Sequence, residues 1–135
     1  MKKVRVFIER ASDGNYSAYM PDDNKLSYGI TGGGASIDET IKDFNAAYEG
    51  MKTHYNKAGK KFEEVSFEFI YDIPSFLAYY SNKLSLAGLE HITGVAQGQL
   101  SHYVTGRRNP SKKTVEKIQN ALQAFGQELS RINLV

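Results

Sequence analysis

The side chains most suited to reading a nucleic acid lie close together in the C-terminal half of the chain. Within six residues the sequence places four polar side chains: Gln97, Gln99, Ser101 and His102. A Gln amide offers a donor and an acceptor that together match the major-groove edge of adenine. This pattern predicts contacts with the edges of bases.

The residues around this segment predict the helices that would present it. A short helix would end at Thr93 and Gly94, a second would run over residues 96–104, and a Gly-Arg-Arg-Asn-Pro segment would follow. Two short helices joined by a glycine turn form a helix-turn-helix, whose second helix can lie in the DNA major groove. The apolar residues that could fill its small core are Leu86, Leu89, Ile92, Val95, Leu100 and Tyr103.

Cations flank the predicted second helix and could hold phosphates on either side of it. They are Arg107, Arg108, Lys112 and Lys113. Residues 74–135 carry seven Lys/Arg and three Asp/Glu, a net +4, whereas residues 1–73 carry ten and twelve, a net −2. This asymmetry predicts that only the C-terminal half approaches DNA, and that the acidic half suits a basic partner.

The same segment resembles the phage-repressor (Cro/C1) type of helix-turn-helix. Residues 94–103 read GVAQGQLSHY and residues 106–111 read GRRNPS, similar to the Gly-Val-Ser-Gln and Gly-Arg-x-x-Pro-Ser runs common in that family. By position, the resemblance implies that Gln97 reads adenine and that Ala96 lies near a phosphate or a thymine methyl group. Glu90 stands where the family usually has Ala, and Gly98 lies within the second helix, at an expected cost of about 0.5–1 kcal/mol.

The N-terminal half predicts three strands, a helix and a fourth strand, which is an α+β domain with a small antiparallel sheet. The strands are expected over Lys2–Arg10, residues 16–20, residues 26–31 and Val65–Tyr71. Residues 32–34, three glycines, are interpreted as a permissive turn. Ser36 and Glu39 form a capping box that starts the helix, which would end near residues 56–59. Its apolar stripe comprises Ile37, Ile41, Phe44, Tyr48, Met51 and Tyr55.

The C-terminal half predicts only helices. One helix is expected over residues 75–83, and a last helix would begin after Ser111, with an apolar stripe along one face. That stripe comprises Val115, Ile118, Leu122, Phe125 and Leu129. The apolar tail formed by Ile132, Leu134 and Val135 would either join a dimer or close the core. The domains are expected to be residues 1–72 and 73–135.

Residues 3–72 resemble the N-terminal domain of HicB-type antitoxins. The parts that match are the NYSAYMPD run of residues 15–22, Gly29, the glycines at 33 and 34, and the SIDE run of residues 36–39. The resemblance implies a partial RNase H-like fold without catalysis that neutralises a small HicA-like ribonuclease toxin, through contacts that the sequence does not identify. With the helix-turn-helix, it implies an antitoxin of a type II toxin–antitoxin system that represses its own operon as a homo-oligomer, a dimer or larger.

Two other functions stay open at this point. The chain could be a stand-alone transcriptional regulator whose N-terminal domain senses a ligand or oligomerises. It could also be a nuclease, for which the strand carboxylates of Glu9, Glu68 and Asp72 are the candidates. Those three do not form a convincing set for Mg²⁺, so we expect no enzyme activity.

The sequence offers no residues for disulfides and few for a metal site. There is no Cys, and His54, His91 and His102 are far apart in sequence. We therefore expect no metal and no cofactor. The apolar run at the N-terminus is too short for a signal peptide or a membrane span, which favours a cytoplasmic protein.

Overall fold

The alternating apolar residues of the first strand build one side of a four-stranded sheet. In the computed structural model, which describes residues 1–135, the strands are β1 (Lys2–Arg10), β2 (Tyr16–Tyr19), β3 (Thr31–Gly34) and β4 (Val65–Tyr71). They lie in the order β3-β2-β1-β4. The predicted α+β class is confirmed.

The sheet is mixed, because β4 lies parallel to β1, with Val4 opposite Phe67 and Val6 opposite Phe69. The prediction of an antiparallel sheet is therefore correct only for the pairs β1–β2 and β2–β3. The reason is topological. A single helix connects β3 to β4 and returns the chain to the end of the sheet at which β3 began, so β4 must run in the direction of β3 and β1.

The third strand is the glycine-rich segment Thr31–Gly34, so the strand predicted over residues 26–31 and the turn predicted over residues 32–34 are both wrong. The glycines are needed because helix α1 (Ile37–Lys57) crosses this strand at very short range. A Cβ atom built on Gly32 would lie 2.6 Å from the backbone nitrogen of Phe44, and one on Gly34 would lie 2.8 Å from Cβ of Glu39. Close approach of a helix to the strand, rather than a turn, explains this glycine run.

Helix α1 begins and packs as its sequence pattern predicts. The Ser36 hydroxyl accepts a hydrogen bond from the Glu39 N–H at 3.1 Å, and the Glu39 carboxylate accepts one from the Ala35 N–H at 3.0 Å. Phe44 is fully buried and meets the ring of Phe67 edge-on at 4.9 Å between centroids. The predicted stripe therefore attaches α1 to the sheet, with Ile41, Met51 and Tyr55 only partly buried.

Four helices follow the sheet: α2 (Ile73–Tyr79), α3 (Leu86–Thr93), α4 (Gln97–Val104) and α5 (Lys112–Ser130). Helix α2 begins two residues before the predicted Ser75, because the Asp72 carboxylate accepts a hydrogen bond from the Ser75 N–H at 2.8 Å. Pro74 fits in the first turn of a helix, where its missing N–H has no partner to lose.

The chain divides into two compact units, Met1–Ser75 and Phe76–Val135. In the second unit the predicted stripe of α5 is buried fully only at Ile118, while Val115 and Leu129 are exposed. Ile132, Leu134 and Val135 are also exposed, so the alternative in which the tail closes the core is wrong. The apolar surface of α5 continues beyond the part that the unit itself covers.

Candidate nucleic-acid interface

The turn between α3 and α4 is fixed by side-chain hydrogen bonds as well as by glycine. Gly94 ends α3 with φ at 72°, a left-handed conformation that glycine adopts without strain. The buried Thr93 hydroxyl donates to the Leu89 carbonyl at 2.7 Å and accepts from the Val95 N–H at 3.1 Å. Gly94 was recognisable from sequence, whereas the bracing by Thr93 was not predicted.

A small apolar core sets the orientation of α4. Of the six residues predicted to form it, Leu89, Val95, Leu100 and Tyr103 are buried, whereas Leu86 and Ile92 are half-buried. Ile118 of α5 is buried as well. Because Leu100 and Tyr103 occupy the inner face of α4, the opposite face is left to solvent.

The predicted base-reading residues differ in how far they are exposed. Ala96, Gln97 and Ser101 are exposed, and Gln97 and Ser101 lie four residues apart on the same side of α4. Gln99 and His102 are half-buried, and Nδ1 of His102 is a buried nitrogen without a hydrogen-bond partner. Among the predicted base-reading residues of α4, Gln97 and Ser101 are therefore the most exposed to solvent.

Glu90 has a role that the sequence comparison did not suggest. Ala96, the residue before α4, has no side-chain acceptor for the free N–H groups of the helix, and Glu90 of α3 supplies one: its Oε1 accepts from the Gln97 N–H at 2.6 Å. This carboxylate stabilises the start of α4. It also places a negative charge at the helix N-terminus, where a DNA phosphate would otherwise be favoured.

Gly98 is not required by the packing of the unit. No heavy atom lies within 4 Å of a Cβ atom built at this position, and the backbone there is helical. Because Gly98 has no side chain, a ligand could approach the backbone of α4 closely beside Gln97.

We expect Gly98→Ala to stabilise the helical unit by about 0.5–1 kcal/mol, because alanine loses less backbone entropy in a helix. Urea unfolding followed by circular dichroism would measure this, with Gly126→Ala on α5 as a control, since its added Cβ also meets nothing within 4 Å. If α4 lies in the DNA groove, only Gly98→Ala should weaken operator binding. A loss of stability at Gly98 would contradict the open environment described for it.

The cations predicted to contact phosphates lie on a loop tied to the end of α4 and at the start of α5. The backbone N–H groups of Arg107 and Arg108 donate to the His102 carbonyl at 2.9 and 3.3 Å. The side chains of Arg107, Arg108, Lys112 and Lys113 are all exposed. The two ion pairs of the chain, Arg5–Asp23 and Lys52–Glu64, both lie in the N-terminal unit, so these four cations have no carboxylate partner.

Two of the three carboxylates considered for a nuclease, those of Glu9 and Asp72, bind groups of the protein itself. Glu9 accepts a hydrogen bond from the Tyr19 hydroxyl at 2.5 Å, which raises the pKa of Tyr19. Asp72 accepts from the backbone N–H groups of Arg10 and Ser75. No group of three or more His, Asp or Glu side chains is placed to hold a metal ion. Glu9 and Asp72 thus have structural roles.

Comparison with known proteins supports the DNA-binding interpretation of the helical unit. A family model described as helix-turn-helix (HTH_3) matches residues 81–124, which cover α3, α4 and the first part of α5. The chain therefore contains a helix-turn-helix domain of the Cro/C1 type and is a DNA-binding transcription regulator. No match was found among curated protein sequences or solved structures. No helix is long and apolar enough to cross a membrane.

Proposed function

We propose that α4 reads operator DNA through Gln97 and Ser101, with contributions from Ala96, Gln99 and His102 at the edges of the contact. The observation that supports this is the exposure of Gln97 at the first turn of α4, the part of a recognition helix that enters the groove first. The phosphate contacts would be made by the cations without a carboxylate partner: Arg107, Arg108, Lys112 and Lys113.

We expect Gln97→Ala and Arg107→Ala to weaken operator binding in different ways. Loss of the Gln97 amide should remove discrimination at one base pair, worth about 1–3 kcal/mol, because its donor and acceptor pair with a base edge. Loss of the Arg107 charge should weaken all sequences alike and lower the salt slope by about 1. Binding isotherms on the operator and on single-base variants, at several salt concentrations, would separate the two effects. Equal losses of both kinds from both variants would contradict the assignment.

A dimer would place two recognition helices on a palindromic operator. The surface that suits this role is a groove between α3 and α5, beside the exposed Leu129. Its lining combines apolar Ile92, Ala121, Ala124 and Phe125 with polar His91 and Glu128. The two small alanines would let a second α5 approach closely.

We expect Leu129→Asp to shift the protein toward monomer, because it places a charge beside this groove. Sedimentation analysis would measure the shift, and binding isotherms should show a parallel loss of cooperative operator binding.

The second proposed role is that of a HicB-type antitoxin, in which the N-terminal unit binds a small basic ribonuclease toxin. The observation that supports this role is that one chain contains both an acidic α+β unit, with its elements in the order βββαβ, and a helix-turn-helix. An acidic surface could compete with the phosphates of RNA for a basic toxin. The same protein would then repress the operon that encodes both partners.

If a neighbouring reading frame encodes a short basic protein, co-expression with that protein tests the antitoxin role. We expect the two proteins to co-purify, and growth arrest by the neighbour to be relieved by the full chain. A chain carrying Arg107→Ala and Arg108→Ala should still relieve it, because these residues are assigned to DNA. Absence of binding at about micromolar concentration would reject the antitoxin role and leave the DNA-binding role standing.

A further inference from the structure

A basic pocket lies beside the first half of β1. It is an open depression of about 300 Å³, and four of its lining residues are cations, Lys2, Lys3, Arg5 and Lys25, against the single carboxylate of Asp23. The gap exists because β2 pairs only with residues 7–10 of β1 and ends at Tyr19. Pro21, which follows, has no N–H with which to continue the ladder.

The charge of this pocket is opposite to that of its surroundings. The N-terminal unit is acidic overall, with ten Lys/Arg and twelve Asp/Glu in residues 1–75, yet four of those ten cations line this one cavity. Arg5 pairs with Asp23 at 3.3 Å, and Nζ of Lys2 donates to the Asn24 carbonyl at 2.5 Å. Neither Lys3 nor Lys25 has a carboxylate partner, so both ammonium groups are available to an anion.

The position of Lys25 is set by an unusual backbone. Its φ is 61°, the only positive φ outside glycine in the chain. Glycine or asparagine would adopt this left-handed conformation with less steric strain than lysine. The preceding turn is held by Asn24, whose side chain donates to the Pro21 carbonyl at 2.5 Å and accepts from the Leu26 N–H at 2.9 Å. Strained residues of this kind cluster at ligand-binding sites.

We propose that this pocket binds a small organic anion with a compact double negative charge, either a phosphate ester or a polycarboxylate. The volume of the open pocket suits a small molecule, and the cations would supply charge-assisted hydrogen bonds. The site goes beyond the DNA and toxin contacts proposed above and depends on neither. It gives the N-terminal unit the means to sense a ligand.

Calorimetry and ¹H–¹⁵N NMR titration of the full chain with pyrophosphate and with citrate would test the site, at about 50 mM salt to limit screening. We expect saturable binding with the largest shifts at the amides of Asn24 and Lys25. The combined variant Lys3→Ala and Lys25→Asn should raise Kd about tenfold, while asparagine retains the left-handed backbone. Lys57→Ala removes an exposed charge at the end of α1 and should leave binding unchanged.

The outcomes distinguish the ligand classes. Tighter binding of pyrophosphate identifies a phosphate ester, and tighter binding of citrate identifies a polycarboxylate. The proposal is overturned if neither anion saturates below about 10 mM, or if Lys57→Ala weakens binding as much as the pocket variant. It is also overturned if a single-stranded oligonucleotide binds more tightly than both through the same residues, because the ligand would then be a nucleic-acid backbone.

Discussion

Gly32→Ala should destabilise the N-terminal unit by about 3 kcal/mol, which is a large fraction of the stability of a domain of this size. The added methyl group would lie 2.6 Å from the backbone nitrogen of Phe44 and 2.8 Å from its Cα. Backbone atoms in the middle of a helix cannot move aside, so α1 would have to shift off the sheet and separate Phe44 from Phe67. We expect the unfolding midpoint of this unit to fall by more than about 10 °C.

Thermal unfolding followed by ¹H–¹⁵N NMR would report the two units separately. Gly50→Ala is the matched control, because Gly50 lies within α1 and its added Cβ meets nothing within 4 Å. This control should stabilise the unit by about 0.5–1 kcal/mol. Operator binding by Gly32→Ala should persist, since the recognition helix belongs to the other unit. If Gly32→Ala behaved like the control, the close crossing of α1 over β3 would be refuted.

Glu90→Gln should strengthen operator binding by about tenfold at low salt, the second large effect that we expect. The glutamine oxygen can still accept from the Gln97 N–H, so the start of α4 should remain capped. What changes is the negative charge at the N-terminus of α4, which would repel a DNA phosphate at this position. The salt dependence should steepen by about one unit.

Two further variants separate charge from capping. Glu90→Ala removes the acceptor as well and should destabilise the helical unit by about 1 kcal/mol, because Ala96 offers no replacement. Glu49→Gln removes a negative charge from the exposed surface of α1, in the N-terminal unit, and should leave operator affinity unchanged. Unaltered affinity in a stable Glu90→Gln protein would mean that this carboxylate does not face DNA.

The parts of the fold that were predicted correctly are those specified by local patterns. Alternation in β1, the Ser36 cap of α1 and the turn at Gly94 each depend on residues within a few positions of one another. The errors arose where an element distant in sequence determines the local structure. Gly32 reads as a turn until α1 is placed against it, and no periodicity in Val65–Tyr71 indicates that β4 runs parallel to β1.

In the candidate nucleic-acid interface, too, features that depend on local sequence were predicted and a contact between two helices was missed. Gln97 and the flanking arginines were predicted from residue type and from resemblance, and the structure exposes them on or beside α4. The capping role of Glu90 was missed because it joins two helices whose angle is set by the buried Thr93 and Leu100. From the sequence alone, Glu90 was only a departure from the family pattern.

The parallel pairing of β1 with β4 has a consequence for the order in which the molecule folds. Lys2 and Val65, which are neighbours in this pair, are separated by more than sixty residues, so one edge of β1 stays unpaired until almost the whole unit has left the ribosome. Loop closure of that length slows folding, whereas α3 and α4 find their partners within a short stretch of chain. We therefore expect the DNA-binding unit to fold faster than the sheet, although the sheet is synthesised first.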